Sequence, residues 1–280
     1  RDEVAGAVGT QYLPKNLTED HAKVKRSMSL LGALFGLMDR LDLLVGALGT
    51  GIEPTGSQDP FALRRAGGVL VKLIRAFEIS FDLSCVIGSA VKLYGDRLTK
   101  KEDLEQRLFK FLQERVSFEL GVKPGTRSFE ILQAVMRTSF ENIADVFKRY
   151  EALNGMDEKV LTKAAKVIQR TANMLKGYGK TPGEPKQELL AEDQEKKLYE
   201  LIRTSSRGVE EPLGKGDYEK ATRVFADLFL KPVDDFFDQV LVNAEDAALR
   251  ENRMALVAQI NRLYTHGIAD LSALSRIDEE

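Results

Sequence analysis

Residues Pro54 to Arg65 read PTGSQDPFALRR, and they follow an apolar run, Leu37 to Gly46, of sequence LMDRLDLLVG. Gly56 and Ser57 favour a tight turn, Asp59 has the short acceptor side chain of a helix cap, and Pro60 suits a first helical position, where its missing N–H costs nothing. The spacing predicts a helix starting at Phe61 and carrying two adjacent guanidinium groups, Arg64 and Arg65. Upstream, Met28, Leu31, Leu34, Phe35, Met38 and Leu41 recur at three- and four-residue intervals, as on a helix with a wide buried face. The two segments together read as helix, polar turn, helix.

The same period extends outward. Val69, Leu70, Leu73, Ile74 and Phe77 continue it, and further helical patterns cover Lys101 to Glu119, Ser128 to Thr138, Ser139 to Asn154, Lys159 to Leu175, Gln187 to Ser205, Asp217 to Leu230 and Ala247 to Ile268. No segment sustains the alternation of a strand, so the fold class is all-α. Glycine and proline punctuate the chain at Gly121 to Gly125, Gly177 to Pro185 and Arg207 to Gly216. With 280 residues, the chain exceeds the usual size of one core, and two helical domains are expected, residues 1–125 and 126–280.

Charge excludes one class of partner. The 41 basic and 43 acidic residues leave a formal charge of −2, so no global field draws the chain to nucleic acid, and any such contact rests on local patches. The apolar stretch from Ser29 to Gly49 is broken by Asp39, Arg40 and Asp42, each costly in lipid, which argues for a buried helix and against a membrane partner. The single cysteine, Cys85, cannot form an internal disulfide and, among Leu83, Val86 and Ile87, is expected to be buried. A reducing compartment and the absence of a signal-peptide pattern point to the cytoplasm.

The two opening segments together resemble the beta subunit of the bacterial, heterotetrameric glycyl-tRNA synthetases, in which an Asp-Lys/Arg-Leu-Asp run precedes Pro-Thr-Gly-Ser-Lys/Gln-Asp-Pro-Phe-Ala-Leu-Arg-Arg. The likeness continues through Leu93 to Leu98, Phe236 to Val242 and Leu249 to Arg253. It implies the C-terminal two-fifths of such a subunit, an expectation with which Arg1 in place of an initiating Met agrees. The first domain is then the end of an HD-like helical domain with its connecting helices. The second resembles the DALR-type anticodon-binding bundle, on the segment Asp246 to Arg253, DAALRENR, which carries one alanine more than the name-giving motif. The resemblance implies glycine tRNA and the synthetase's alpha subunit as partners, with no DNA. It also implies an ATP-dependent ligase whose catalytic core, with ATP and magnesium, belongs to the alpha subunit. This portion is expected to hold no catalytic residue and no cofactor of its own.

Candidate RNA-binding residues follow from chemistry. Anticodon loops are held by stacking and edge hydrogen bonds on unstacked bases, with basic groups on the backbone. Asp246 can cap a helix from Ala247 that presents Arg250, Arg253 and Arg262, with Asn252 and Tyr264 suited to base contact. Lys159, Lys163, Lys166 and Arg170 form a one-sided basic stripe if helical. Arg64 and Arg65 offer paired charge, although neighbours on a helix point about 100° apart and cannot both grip one phosphate. An ion network with Asp39, Asp42 or Asp59 is an equally open reading of that pair. For the others, capping, pairing with Glu251 or a place at the core edge is the alternative.

Asp39 resembles the last metal ligand of HD phosphohydrolases, within Leu37-Met38-Asp39-Arg40-Leu41. Only His21 and His266 exist in the chain, with no His-Asp pair, so Asp39 is read as vestigial and no metal site is expected. No phosphate-binding glycine loop or nucleophile elbow is present. Two other functions stay open at this point: a divergent HD-type metal phosphohydrolase, and a non-catalytic helical scaffold for subunit assembly.

Overall fold

The computed structural model describes residues 2–275, and every regular element among them is helical. The chain forms two compact units. One holds the residues up to Lys123 together with Phe140–Phe147, the other Pro124–Ser139 together with the residues from Lys148 on.

The first unit contains α1 (Asp2–Thr10), α2 (His21–Ser27), α3 (Leu30–Gly49), α4 (Leu63–Phe77), α5 (Leu83–Tyr94) and α6 (Leu104–Leu120). Ser29 starts α3 by accepting the Gly32 N–H at 3.2 Å, and Asp82 starts α5 by accepting the Cys85 N–H at 2.8 Å. The core is built around α4, which packs on α2, α3 and α6 and buries every residue from Ala66 to Ile74. Each buried Val, Leu or Ile there contributes on the order of 1.5–3 kcal/mol. Gly67 permits the close fit to α6, since a Cβ there would lie 2.6 Å from the Phe111 ring.

A polar knot ties three of these helices. Glu119 of α6 is nearly buried and receives His21 Nε2 at 2.6 Å, Lys72 Nζ at 3.2 Å and Arg75 Nη1 at 3.8 Å. Lys72 also donates to the Glu19 carbonyl at 3.0 Å. Three cationic or potentially cationic side chains thereby share one desolvated carboxylate.

The opening stretch departs from expectation at its helix start. Thr55 and Gln58 exchange two backbone hydrogen bonds of 2.9 and 2.7 Å, closing the turn around Gly56. Residues Pro60–Ala62 then form a 3-10 turn in which Phe61 and Ala62 hold φ of 61° and 53°, and α4 begins only at Leu63. This detour lets the Asp59 carboxylate accept the Arg64 N–H at 3.2 Å, beyond the usual reach of a cap. It also leaves the Phe61 ring 67% exposed.

Cys85 is a second correction: it is exposed, because α5 buries Leu83 and Ile87 and turns Cys85 off that face. Arg40, expected to interrupt an apolar helix, is itself buried and donates to the carbonyls of Gln11 at 2.9 Å and Gly36 at 2.8 Å.

The second unit contains α7 (Arg127–Thr138), the later part of α8 (Ile143–Asn154), α9 (Glu158–Lys176), α10 (Asp193–Ser205), α11 (Arg207–Gly214), α12 (Tyr218–Gln239) and α13 (Ala247–Thr265). Here α12 packs on α9, α10 and α11, while α13 packs on α9 and α10. Phe225, Phe229, Phe236, Leu256 and Tyr264 have no solvent exposure and form the centre. Arg149 is also buried and donates to the carbonyls of Val135, Ser139 and Ile268 at 2.9, 2.8 and 3.2 Å.

Two boundaries differ from the sequence reading. The helix expected to stop at Leu230 runs through Pro232 to Gln239, because burial of Val233 and Phe236 outweighs the one backbone bond that proline removes. Residues Arg207–Gly214, expected as punctuation, form α11, which buries Val209 and Pro212. Among the described residues, no helix is long and apolar enough to cross a membrane.

Candidate nucleic-acid interface

Helix α13 begins where the DAALRENR segment predicts. The Asp246 carboxylate accepts the N–H groups of Ala248 and Leu249 at 2.8 and 3.1 Å. The polar residues that follow, however, serve the fold. Arg250 is half-buried and donates to the Ala244 carbonyl at 2.8 Å, closing the loop before its own helix. Asn252 is buried and clamps Lys186 in both directions, accepting its N–H at 2.6 Å and donating to its carbonyl at 3.0 Å. That pair fixes the segment after the Gly177 to Pro185 loop against α13.

Arg253 is buried too. Its Nε binds Glu195 of α10, and Nη1 donates to the Leu241 carbonyl at 2.8 Å. Tyr264 is 0% exposed, with its hydroxyl 3.0 Å from Thr222 Oγ1 and its ring centroid 4.7 Å from that of Phe225. Burial pushes its phenol well above the ordinary value. Asn252, Arg253 and Tyr264 therefore leave the set of candidate RNA contacts, since each has its polar atoms engaged and its surface covered.

The basic stripe on α9 is present but answered. Lys163 lies 3.5 Å from Asp227, and Arg170 pairs with Asp234 and Asp238, all on α12, while its guanidinium stands 5.4 Å from the Phe237 ring centroid. The acids on α12 repeat along the same face as the bases on α9, so the stripe is an interhelical ion ladder over much of its length. Lys159 remains exposed at the helix start and Lys166 is half-buried.

In the first unit, the Arg65 side chain is exposed and donates to the Lys15 carbonyl at 2.7 Å, and Arg64 is half-buried. Arg64 lines a hollow of about 300 Å³ with Arg107 and Lys110. Asp39 is exposed on α3, and among the described residues no group of three His, Cys, Asp or Glu side chains could hold a metal ion.

Of the candidates on α13, Arg262 is the one that stays exposed. It borders a cleft of about 440 Å³ in the second unit, floored by Ile202 of α10, Leu213 of α11 and Leu263 of α13. Gln259 and His266 border it as well, on the same face as Arg262 by their spacing of three and four residues. Sequence reasoning missed these two; the spacing 259, 262, 266 was the available signal.

Comparison with known proteins finds two families along the chain, the first of which extends past the first unit into α7. Residues 1–137 match the family described as glycyl-tRNA synthetase beta subunit, and residues 165–272 match the family described as DALR anticodon binding domain. The glycine-tRNA ligase beta subunit of Acinetobacter baumannii is 35% identical over 275 residues, which cover 97% of this chain and 38% of that protein. Its namesake from Vibrio parahaemolyticus is 34% identical over 277 residues, 98% of this chain and 39% of that protein. The chain thus spans roughly two-fifths of the length of the curated relatives it matches. With residues 1–137 in the one family, residues 165–272 in the other, and a relative 35% identical across 97% of this sequence, the chain belongs to the glycyl-tRNA synthetase beta subunit family.

Proposed function

We propose that this chain is the tRNA-recognising part of a glycine-tRNA ligase beta subunit. It supports ATP-dependent attachment of glycine to glycine tRNA in the cytoplasm, while an alpha subunit supplies the site that uses ATP and magnesium. The observation that carries this reading is the match of residues 165–272 to an anticodon-binding family, a range that holds most of α9 and all of α10 to α13. The surviving contact candidates are Arg262, Lys159, Lys166 and Arg250 in the second unit and Arg64 and Arg65 in the first. Basic groups of this kind bind backbone phosphates and make affinity fall steeply with salt.

The test is binding of the chain to glycine tRNA and to a form with altered anticodon bases, at low and at moderate salt. Salt-dependent binding that weakens with the altered anticodon supports the reading. Equal, salt-insensitive or absent binding overturns it. A role in assembly is the second reading, favoured by the apolar side chains Met38, 63% exposed, and Phe61 on the first unit. It predicts alpha-subunit association that is lost on Met38→Lys while tRNA binding persists.

A further inference from the structure

The cleft beside Arg262 carries, besides the ion pairs Arg262–Glu184 and Arg203–Glu200, neutral polar groups that those pairs do not engage. Its floor is aliphatic, yet the half-buried Gln259 amide and the Ser206 hydroxyl on its wall make no side-chain hydrogen bond among the described residues. The His266 ring, exposed at the mouth, makes none either. A half-buried amide whose donor and acceptor face the cleft without a protein partner can give two parallel hydrogen bonds to a planar group. Polar groups placed sparsely over apolar walls, in a volume between about 300 and 1,000 Å³, are the pattern of a site for a flat organic group.

Charged side chains ring its rim. Arg203 pairs with Glu200 at 2.8 Å, while Arg262, 3.9 Å from the exposed Glu184, is held only loosely and suits a backbone phosphate outside; Glu184 and Glu210 oppose an anion inside. Carboxylates and an amide carbonyl accept hydrogen bonds, so the group inside should present amino donors. A second hollow, of about 500 Å³, is lined by the amides of Asn173 and Asn243 beside Phe237. Its one lining cation, Arg170, is held by two carboxylates, Asp234 and Asp238, against the single 3.9 Å contact of Arg262 with Glu184, and those two acids turn a phosphate chain away.

We propose that the cleft formed by α10, α11 and α13 receives one unpaired nucleobase bearing an exocyclic amino group, with Gln259 reading its edge. Ile202, Leu213 and Leu263 cover the base faces, Ser206 supplies a further hydrogen bond, and Arg262 holds the phosphate of the same nucleotide. His266 closes the mouth by stacking or by donating to the sugar–phosphate chain. This rests on the tRNA-recognising function proposed above and assigns that function its base-reading residue.

The experiment uses the whole chain and the anticodon stem-loop of glycine tRNA, with each loop position replaced in turn by an abasic nucleotide or by uracil. At one position both replacements should weaken binding by about tenfold or more. Gln259→Leu should bind the unaltered loop about tenfold more weakly and lose the penalty at that position, with its salt dependence intact. Asn173→Ala, in the other hollow, should behave as the original chain, and thermal melting checks that both variants fold. Salt-dependent binding in which Gln259→Leu keeps every penalty overturns the base slot and leaves the general reading standing. Binding in which no loop position matters, or no binding of the original chain at low salt, overturns both.

Discussion

Glu195 and Arg253, 58 positions apart in the chain, meet inside the second unit with side chains only 1% and 7% exposed. The carboxylate is used on both oxygens, since Oε2 also accepts the N–H groups of Ala191 and Glu192 at 2.5 and 3.0 Å and so caps α10. The pair ties the cap of one helix to the middle of another.

Removing one member strands the other. Arg253→Ala leaves a desolvated carboxylate and should destabilise the chain by about 3–5 kcal/mol. Urea denaturation should show a large fall in midpoint, and any loss of RNA binding should vanish under conditions where the variant is still folded. An Arg253→Ala variant that keeps its midpoint but loses RNA would return this residue to the interface.

Tyr264 gives a pH-dependent counterpart. Its folded phenol is held protonated above the ordinary 10.0 by burial, with Thr222 acting weakly the other way. Above pH 10 the unfolded chain releases this proton while the folded chain retains it, so stability is present below that value and declines as pH rises past it. Tyr264→Phe should remove that component of the alkaline decline, at a cost near neutrality of about 0.5–1.5 kcal/mol for the lost hydroxyl bond to Thr222. Melting curves at neutral and alkaline pH measure both, and RNA affinity at neutral pH should not change.

The ladder between α9 and α12 predicts an asymmetry. Arg170→Ala should leave RNA affinity nearly unchanged, because Asp234 and Asp238 already neutralise the guanidinium. Replacing both aspartates by asparagine should strengthen non-specific RNA binding and steepen its salt dependence, as the freed charge becomes available to phosphates. Titration of an unrelated RNA against both variants checks this.

Backbone geometry at the opening motif supplies a fourth expectation. Ala62 adopts φ 53° and ψ 44°, a left-handed conformation that glycine holds without a Cβ penalty. Ala62→Gly should stabilise the chain by up to about 1 kcal/mol, and Ala62→Val should destabilise it by more than that. Thermal melts of the two variants would show opposite shifts.

Much of this architecture was legible in the residues. Periodicity located α3, α4, α9 and α13, and the expected cap at Asp246 acts through its side-chain acceptor at the helix start, where local chemistry alone decides. Partners distant in sequence were not legible. No local pattern announces that Asn252 will clamp Lys186 or that Asp227, Asp234 and Asp238 will face the lysine stripe, because both depend on which helices pack together. For the same reason Asn252, Arg253 and Tyr264 looked fit for RNA: their chemistry is right, and only tertiary burial removes them. Pro232 misled in the opposite direction, since packing carried a helix across a residue that local rules treat as a stop.

The inward use of Asn252 and Arg253 bears on how this module can diversify. Residues committed to main-chain carbonyls and a buried carboxylate are constrained by folding whatever RNA the chain meets, whereas Gln259, Arg262 and His266 can be exchanged with little effect on the core. The base slot proposed above would thus let one scaffold be retuned along a single helix, with the signature that marks the family kept intact.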